Sequence, residues 1–242
     1  MQIEANQRSR PLVDVYREFF EVVRADTPAL LQEVFRLRYQ VYCVENPFEN
    51  PADNPEGLER DRFDEHSVHA LLRHRATGTP AGAMRLILPR SGSQSRRLPV
   101  FDLCPDAGPV LPADSTAEFS RFAVSKEFRR RAGDALYGEA YSQSELLGDG
   151  RRVIPHITLG LMATALEMGR SHGIVHVCAV MEPSLLRLLS RFGIRFIPIG
   201  PMIEHHGMRQ PCYSKVDVLL VGIQRERPEV WEIITDRGRL SA

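Results

Sequence analysis

Glu118 and Arg121 stand in TAEFSRFAVS, residues 116–125, among Phe119, Phe122 and Val124. Aromatic and β-branched residues favour a pleated, half-buried surface. The stretch therefore reads as a strand that holds a carboxylate and a guanidinium. Unpaired buried charge is very costly, so both need partners. Two other stretches could supply them: LERDRFD offers Glu59, Asp61 and Asp64, and the helical LLQEVFRLRYQVY places Arg38 in the apolar stripe of Leu31, Phe35 and Tyr42. Arg85 is another arginine in an otherwise apolar segment, AGAMRLILP. The expectation is that these segments meet at one polar site. Such a site could move protons, because burial can raise a carboxylate pKa into the working range of a base. The same residues could equally form a structural salt-bridge cluster with no chemistry.

The elements that would position them follow from periodicity. Val13, Tyr16, Phe20 and Val23 recur at helical spacing, which predicts a helix over 11–24. Thr27-Pro28 is an N-cap followed by proline, opening a second helix that runs to about Glu45. NPFENPADNPEGL, residues 46–58, reads as an irregular loop of the kind that serves as a lid. SVHALLRH and AGAMRLILP read as a hairpin across ATGTP. Residues 90–115 are loop-like, and 126–147 are mostly helical by pattern. A long helix is expected from about Ile157 to His172, closed by Gly173. Residues 174–181 predict a buried strand, EPSLLRLLSRFG a helix, IRFIPIG a strand, CYSKVDVLLVGI (212–223) a central strand, and PEVWEIITDRG a short helix. Strands and helices alternate after residue 116, and antiparallel strands flank them. The fold class is therefore α/β with a mixed sheet.

The 242 residues, 43% of them hydrophobic, suffice for a full core. Thirty-one basic and 31 acidic residues cancel, which argues against general nucleic-acid binding, FRRRAG included. No apolar run is long enough for a membrane span and the first residues show no signal peptide, so a cytoplasmic location is expected. Cys43, Cys104, Cys178 and Cys212 are scattered and read as reduced core thiols. His205-His206 lacks any metal-binding context and reads as loop; no metal is expected.

LRYQVY with Phe48 ten residues after Arg38, then ERDRFD, then MRL, then EFSRF, in this order, resembles the acyl-homoserine-lactone synthases, the autoinducer-synthase branch of the GNAT acyltransferase superfamily. With YCVENPFEN and its divergent C-terminal half, the chain is closer still to the acyltransferases that accompany exosortase (PEP-CTERM) systems, and it is similar to the N-acyl amino acid synthases. The likeness spans roughly residues 30–200. It implies one GNAT-like domain over 1–242, mainly antiparallel with splayed central strands, with a helical extension over 1–26 and an insertion at 133–154. It implies that Arg38, Phe48, Glu59, Asp61, Asp64, Arg85, Glu118 and Arg121 line one site, with Glu118, or else Glu59, as base or substrate anchor. A β-bulge would be needed to bring Glu118 and Arg121 to one face and would free an N–H for an oxyanion. The acyl tail would lie between strands 117–125 and 174–181, along Phe122, Val124, Val177 and Ala179, although each of these could be plain core. Arg130, Arg131 and Gly133 fit the pyrophosphate turn of ordinary GNAT enzymes. Leu189 stands where many of those enzymes have a tyrosine acid.

The activity implied is N-acyl transfer from an acyl-carrier-protein or CoA co-substrate to the amine of an amino acid or similar small molecule, with no covalently bound cofactor. Arg129, Arg130, Arg131, Arg151 and Arg152 are candidates for docking the acidic carrier protein, or a solvated helix face. An acyl-homoserine-lactone synthase using S-adenosylmethionine and a non-catalytic acyl-binding module are the alternatives.

Overall fold

The computed structural model describes residues 11–89, 98–128 and 156–241. In chain order, α1 (Leu12–Phe19) leads into β1 (Phe20–Arg24), and α2 (Pro28–Tyr39) continues as one widened π turn over Gln40–Glu45. The hairpin β2 (Ser67–His74) and β3 (Pro80–Ile87) precedes α3 (Pro99–Leu103) and β4 (Thr116–Val124). Then come α4 (His156–Ser171), β5 (His176–Met181), α5 (Pro183–Arg191), the two-residue strands β6 (Ile197–Pro198) and β7 (Ile203–Glu204), β8 (Met208–Lys215), α6 (Val216–Glu226) and α7 (Pro228–Ile234).

The strands form one mixed sheet in the order β1-β2-β3-β4-β5-β8-β6, with β7 also on β8. Every pairing is antiparallel except that of β4 with β5. That parallel pairing ends at Phe119↔Ala179. Beyond it the two strands part, as the resemblance implied.

α2 forms where its signals predicted. The Thr27 hydroxyl accepts from the Leu30 amide at 3.3 Å, and Pro28 fills the first helical position, where no amide hydrogen is missed. One face of the sheet packs on α4, with Leu72, Met84, Leu86, Leu161 and Met168 in its core. The opposite face has two smaller cores. Val34, Leu37, Leu71 and Ala83 pack under α2, and Ile87, Leu98, Val100 and Cys178 pack beside α3. Ala83 and Ile87 lie on the same side of β3, and Arg85 stands between them. The gap between the two cores is where the charged residues gather.

Three expectations are corrected. The helix predicted over 11–24 stops at Phe19, and FEVVR pairs with β2 from Phe20↔His74 to Arg24↔Ala70. Val22 and Val23 prefer the ladder that the β2 edge offers. CYSKVDVLLVGI is not one strand, because β8 ends at Lys215 and α6 begins at Val216. A short apolar run does not distinguish strand from helix. Here Leu220 and Ile223 are buried while Val218 and Val221 are 63% and 67% exposed, which is the helical period. In IRFIPIG only Ile197 and Pro198 pair. The insertion expected at 133–154 lies outside the described residues.

Candidate active site

Arg38, Arg85 and Arg121 come from α2, β3 and β4, and Glu59, Asp61 and Asp64 from the loop before β2. All six meet. Arg38 is fully buried; its Nε donates to Glu59 Oε2 at 2.5 Å, and its two Nη atoms donate to the Asp64 carboxylate at 2.7 and 3.2 Å. This is the bidentate geometry that a guanidinium supplies and an ammonium does not. Arg85 Nη1 donates to Asp61 Oδ1 at 2.6 Å and to Asp64 Oδ1 at 2.8 Å, and its Nε donates to Ser120 Oγ at 2.8 Å. Arg121 donates from Nε to Glu59 at 3.0 Å and from Nη2 to Glu49 at 2.9 Å, with Asp61 Oδ2 at 3.2 Å. The loop is locked from within, since Asp64 Oδ2 accepts from the Asp61 amide and Asp61 Oδ1 from the Phe63 amide, both at 2.8 Å.

Arg121 reaches the cluster through the backbone. In the β3/β4 ladder Arg85 opposes Ser120 and Ala83 opposes Ala123, so Arg121 and Phe122 together face Met84 alone. That is a β-bulge, and Arg121 sits in it at φ +49°. Left-handed backbone is rare for an arginine, and here three ion pairs, to Glu49, Glu59 and Asp61, hold it. The bulge lies at Arg121 itself rather than between Glu118 and Arg121, and it brings Arg121 to the face that Glu118 and Ser120 already share.

Glu118 stands apart from this network. It is 3% exposed, and among the described residues its Oε2 accepts from the Val100 amide at 2.8 Å. Burial pushes its pKa up to about 8, against the pull of that amide and of Arg85. Burial also works to raise Glu59, Asp61 and Asp64, but the arginines outweigh it and hold all three below the ordinary carboxylate range. Asp64, held by Arg38 and Arg85, lies well below it. His69, buried at 2% exposure, is lowered to about 4 by burial and remains a neutral imidazole 3.7 Å from Asp64. The Tyr42 phenol is raised by burial to about 12 and keeps its proton.

Beside the cluster a cavity of about 890 Å³ opens where β4 and β5 part. Glu118, Ser120, Arg121 and Asp61 line its polar end, and Phe122, Val124, Ala179 and Leu188 its apolar walls. Phe48 lines it too, with its ring 6.4 Å from that of Tyr42 and under the Arg209 guanidinium at 5.7 Å. Val177 does not line it; its side chain lies in the α4-side core. Val177 pairs with Ala117, within the stretch where β4 and β5 are still joined, and so falls short of the slot that opens beyond Phe119↔Ala179. His205 and His206, expected as plain loop, form the tight turn before β8 and line the cavity, with His206 Nε2 3.9 Å from Glu49. Arg129, Arg130, Arg131, Gly133, Arg151 and Arg152 lie outside the described residues. Among the described residues no group of three or more His, Cys, Asp or Glu could hold a metal ion, and no helix is long and apolar enough to cross a membrane.

Sequence reasoning missed Ser120, Glu49 and His69. Ser120 was within reach, because it is two residues from Glu118 on the same strand and so shares its face. Glu49 sits in an irregular loop that no periodicity orients.

Residues 37–139 match the acetyltransferase (GNAT) domain family. Among solved structures, TofI in a ternary complex with an inhibitor and MTA aligns at TM-score 0.58 and 22% identity, over 85% of this chain and 96% of that one. BjaI, a CoA-dependent acyl-homoserine lactone synthase solved with SAM and isopentyl-CoA, aligns at TM-score 0.56 and 22% identity, over 92% and 89%. FeeM, an N-acyl amino acid synthase from uncultured soil microbes, aligns at TM-score 0.55 and 13% identity, over 84% and 93%. The chain has the fold of these three proteins.

Proposed function

We propose that the protein is an N-acyltransferase that moves a fatty acyl group from a carrier-protein or CoA thioester to the amine of an amino acid or related small molecule. The observation that carries this reading is Glu118, a buried carboxyl that no arginine pairs among the described residues, at a cavity whose walls include the apolar Phe122, Val124, Ala179 and Leu188. At about 890 Å³ the cavity is near the upper end of the usual range for small-molecule sites. In this reading the acyl tail runs between β4 and β5, and the amine enters past Phe48 and Asp61.

The amine nitrogen attacks the thioester carbonyl. The new C–N bond forms, the C–S bond breaks, and the products are an amide and a free thiol. The proton lost by the amine passes to the Glu118 carboxylate and on to the departing sulfur. Glu118 is pushed up to about 8, which brings its carboxyl into the working range of a general base near neutral pH. Backbone N–H groups at the Arg121–Phe122 bulge are the candidates to receive the oxyanion. Glu59, committed to two arginines, is a positioning residue rather than the base.

Arg129, Arg130, Arg131, Arg151 and Arg152 are the residues proposed to meet an acidic carrier protein, with Arg130, Arg131 and Gly133 at a donor phosphate. A cytoplasmic location belongs to the same proposal. The test is mass spectrometry of products after incubation with long-chain acyl-CoA or acyl-carrier protein, a mixture of amino acids, and S-adenosylmethionine. An N-acyl amino acid is the expected product. An acyl-homoserine lactone assigns the chain to the autoinducer synthases instead. Absence of any acylated amine overturns the reading.

A further inference from the structure

Phe119 and Met162 each line two spaces. One is the large cavity between β4 and β5. The other is a small apolar pocket behind it, lined also by Ala165, Gly169, Val177 and Leu220. Met162, Ala165, Leu166 and Gly169 recur at helical spacing, so one stripe of α4 runs from the large cavity into the small pocket. The small pocket measures about 40 Å³. A single water needs roughly 10–15 Å³ by the same measure. The partition between the two spaces is therefore an aromatic ring and a thioether, and methionine is the most adaptable of the apolar side chains.

We propose that Met162, backed by Phe119, limits the length of the acyl chain, and that the small pocket receives the last methylenes of a longer chain once Met162 moves or is shortened. The proposal rests on the acyl-transfer reading of the larger cavity. The pocket suits this occupant for two reasons. Its lining is almost wholly apolar, and it shares Phe119 and Met162 with the slot proposed to hold the rest of the chain.

The test uses the whole chain and two readouts: calorimetric binding of saturated fatty acids of increasing length, and thiol release from the matching acyl-CoAs in the presence of a mixture of amino acids. Met162→Ala shifts the preferred length upward in both. Each additional methylene accommodated gains about fourfold in affinity over the wild type. Met162→Val, a milder change should the alanine variant fail to fold, shifts it the same way by less. Gly169→Ala narrows the small pocket without touching the large one, since its added Cβ meets Ile174 at an ordinary 3.6 Å. It leaves the wild-type profile unchanged and cuts the gain made by Met162→Ala. The proposal is overturned if folded Met162 variants keep the wild-type length profile, or if Gly169→Ala does not reduce the gain. If binding shifts as stated while no variant releases thiol, the length limit stands and the acyl-transfer reading fails.

Discussion

Glu118 and Glu59 are carboxylates buried on the same face of the sheet, and their surroundings push their protons in opposite directions. Glu118 in the folded protein keeps its proton up to about pH 8, against an ordinary value of 4.5. Its contribution to stability is complete below the ordinary value and is lost as the pH rises through 8. Glu59, Asp61 and Asp64 behave in the opposite sense. Their contributions are present above the ordinary carboxylate range and vanish as the pH falls below it. Glu118→Gln should therefore flatten the decline in melting temperature between about pH 5 and 8 while leaving the acid limb in place. Thermal melts across that range check it. In catalysis the same group should make kcat/KM climb with pH and level off above about 8, with Glu118→Gln lowering the rate by about 10²–10⁴-fold and abolishing that limb. Arg38 provides the contrasting case. Arg38→Met strands Glu59 and Asp64 without their buried partner, and chemical denaturation should show a loss of about 3–5 kcal/mol. Arg38→Lys should recover little of it, because a point charge does not replace three directed N–H donors.

The elements were legible where period and punctuation agreed. Thr27-Pro28 opened α2, Gly173 closed α4, and the hairpin of β2 and β3 followed from its turn. They were misread where an apolar run had no period of its own, as at Val216–Ile223, or where a neighbouring edge recruited a segment, as at Phe20–Arg24. The convergence of Arg38, Arg85, Arg121, Glu59, Asp61 and Asp64 was legible from residue types, because charges on apolar stripes need partners. Glu118 was legible as part of the site but not as a residue outside the ion network. Its isolation depends on the amide of Val100, a contact that no local pattern announces. Close packing of α4 on the sheet gives a further expectation. A Cβ at Gly160 would fall on Tyr16 Oη and within 2.7 Å of Leu72 Cδ1. Gly160→Ala should destabilise by about 1–3 kcal/mol through overpacking. Adding Tyr16→Phe should restore part of that loss in the same denaturation measurement.

For the whole molecule, the parting of β4 from β5 matters most. A sheet paired along its full length would have no slot, and the ion cluster would then be a structural knot and nothing more. Filling the slot stabilises the fold by mass action, so a long-chain acyl-CoA at a hundred times its Kd should add about 2.7 kcal/mol and raise the melting temperature by roughly 5–11 °C. The most direct trial of acyl transfer at Glu118 is the rate of thiol release from a long-chain acyl thioester, with and without amino acid, in wild type and Glu118→Gln. Release that depends on the amine and falls at least a hundredfold in the variant is the predicted result. Release indifferent to the amine, or undiminished in a folded Glu118→Gln protein, would contradict it.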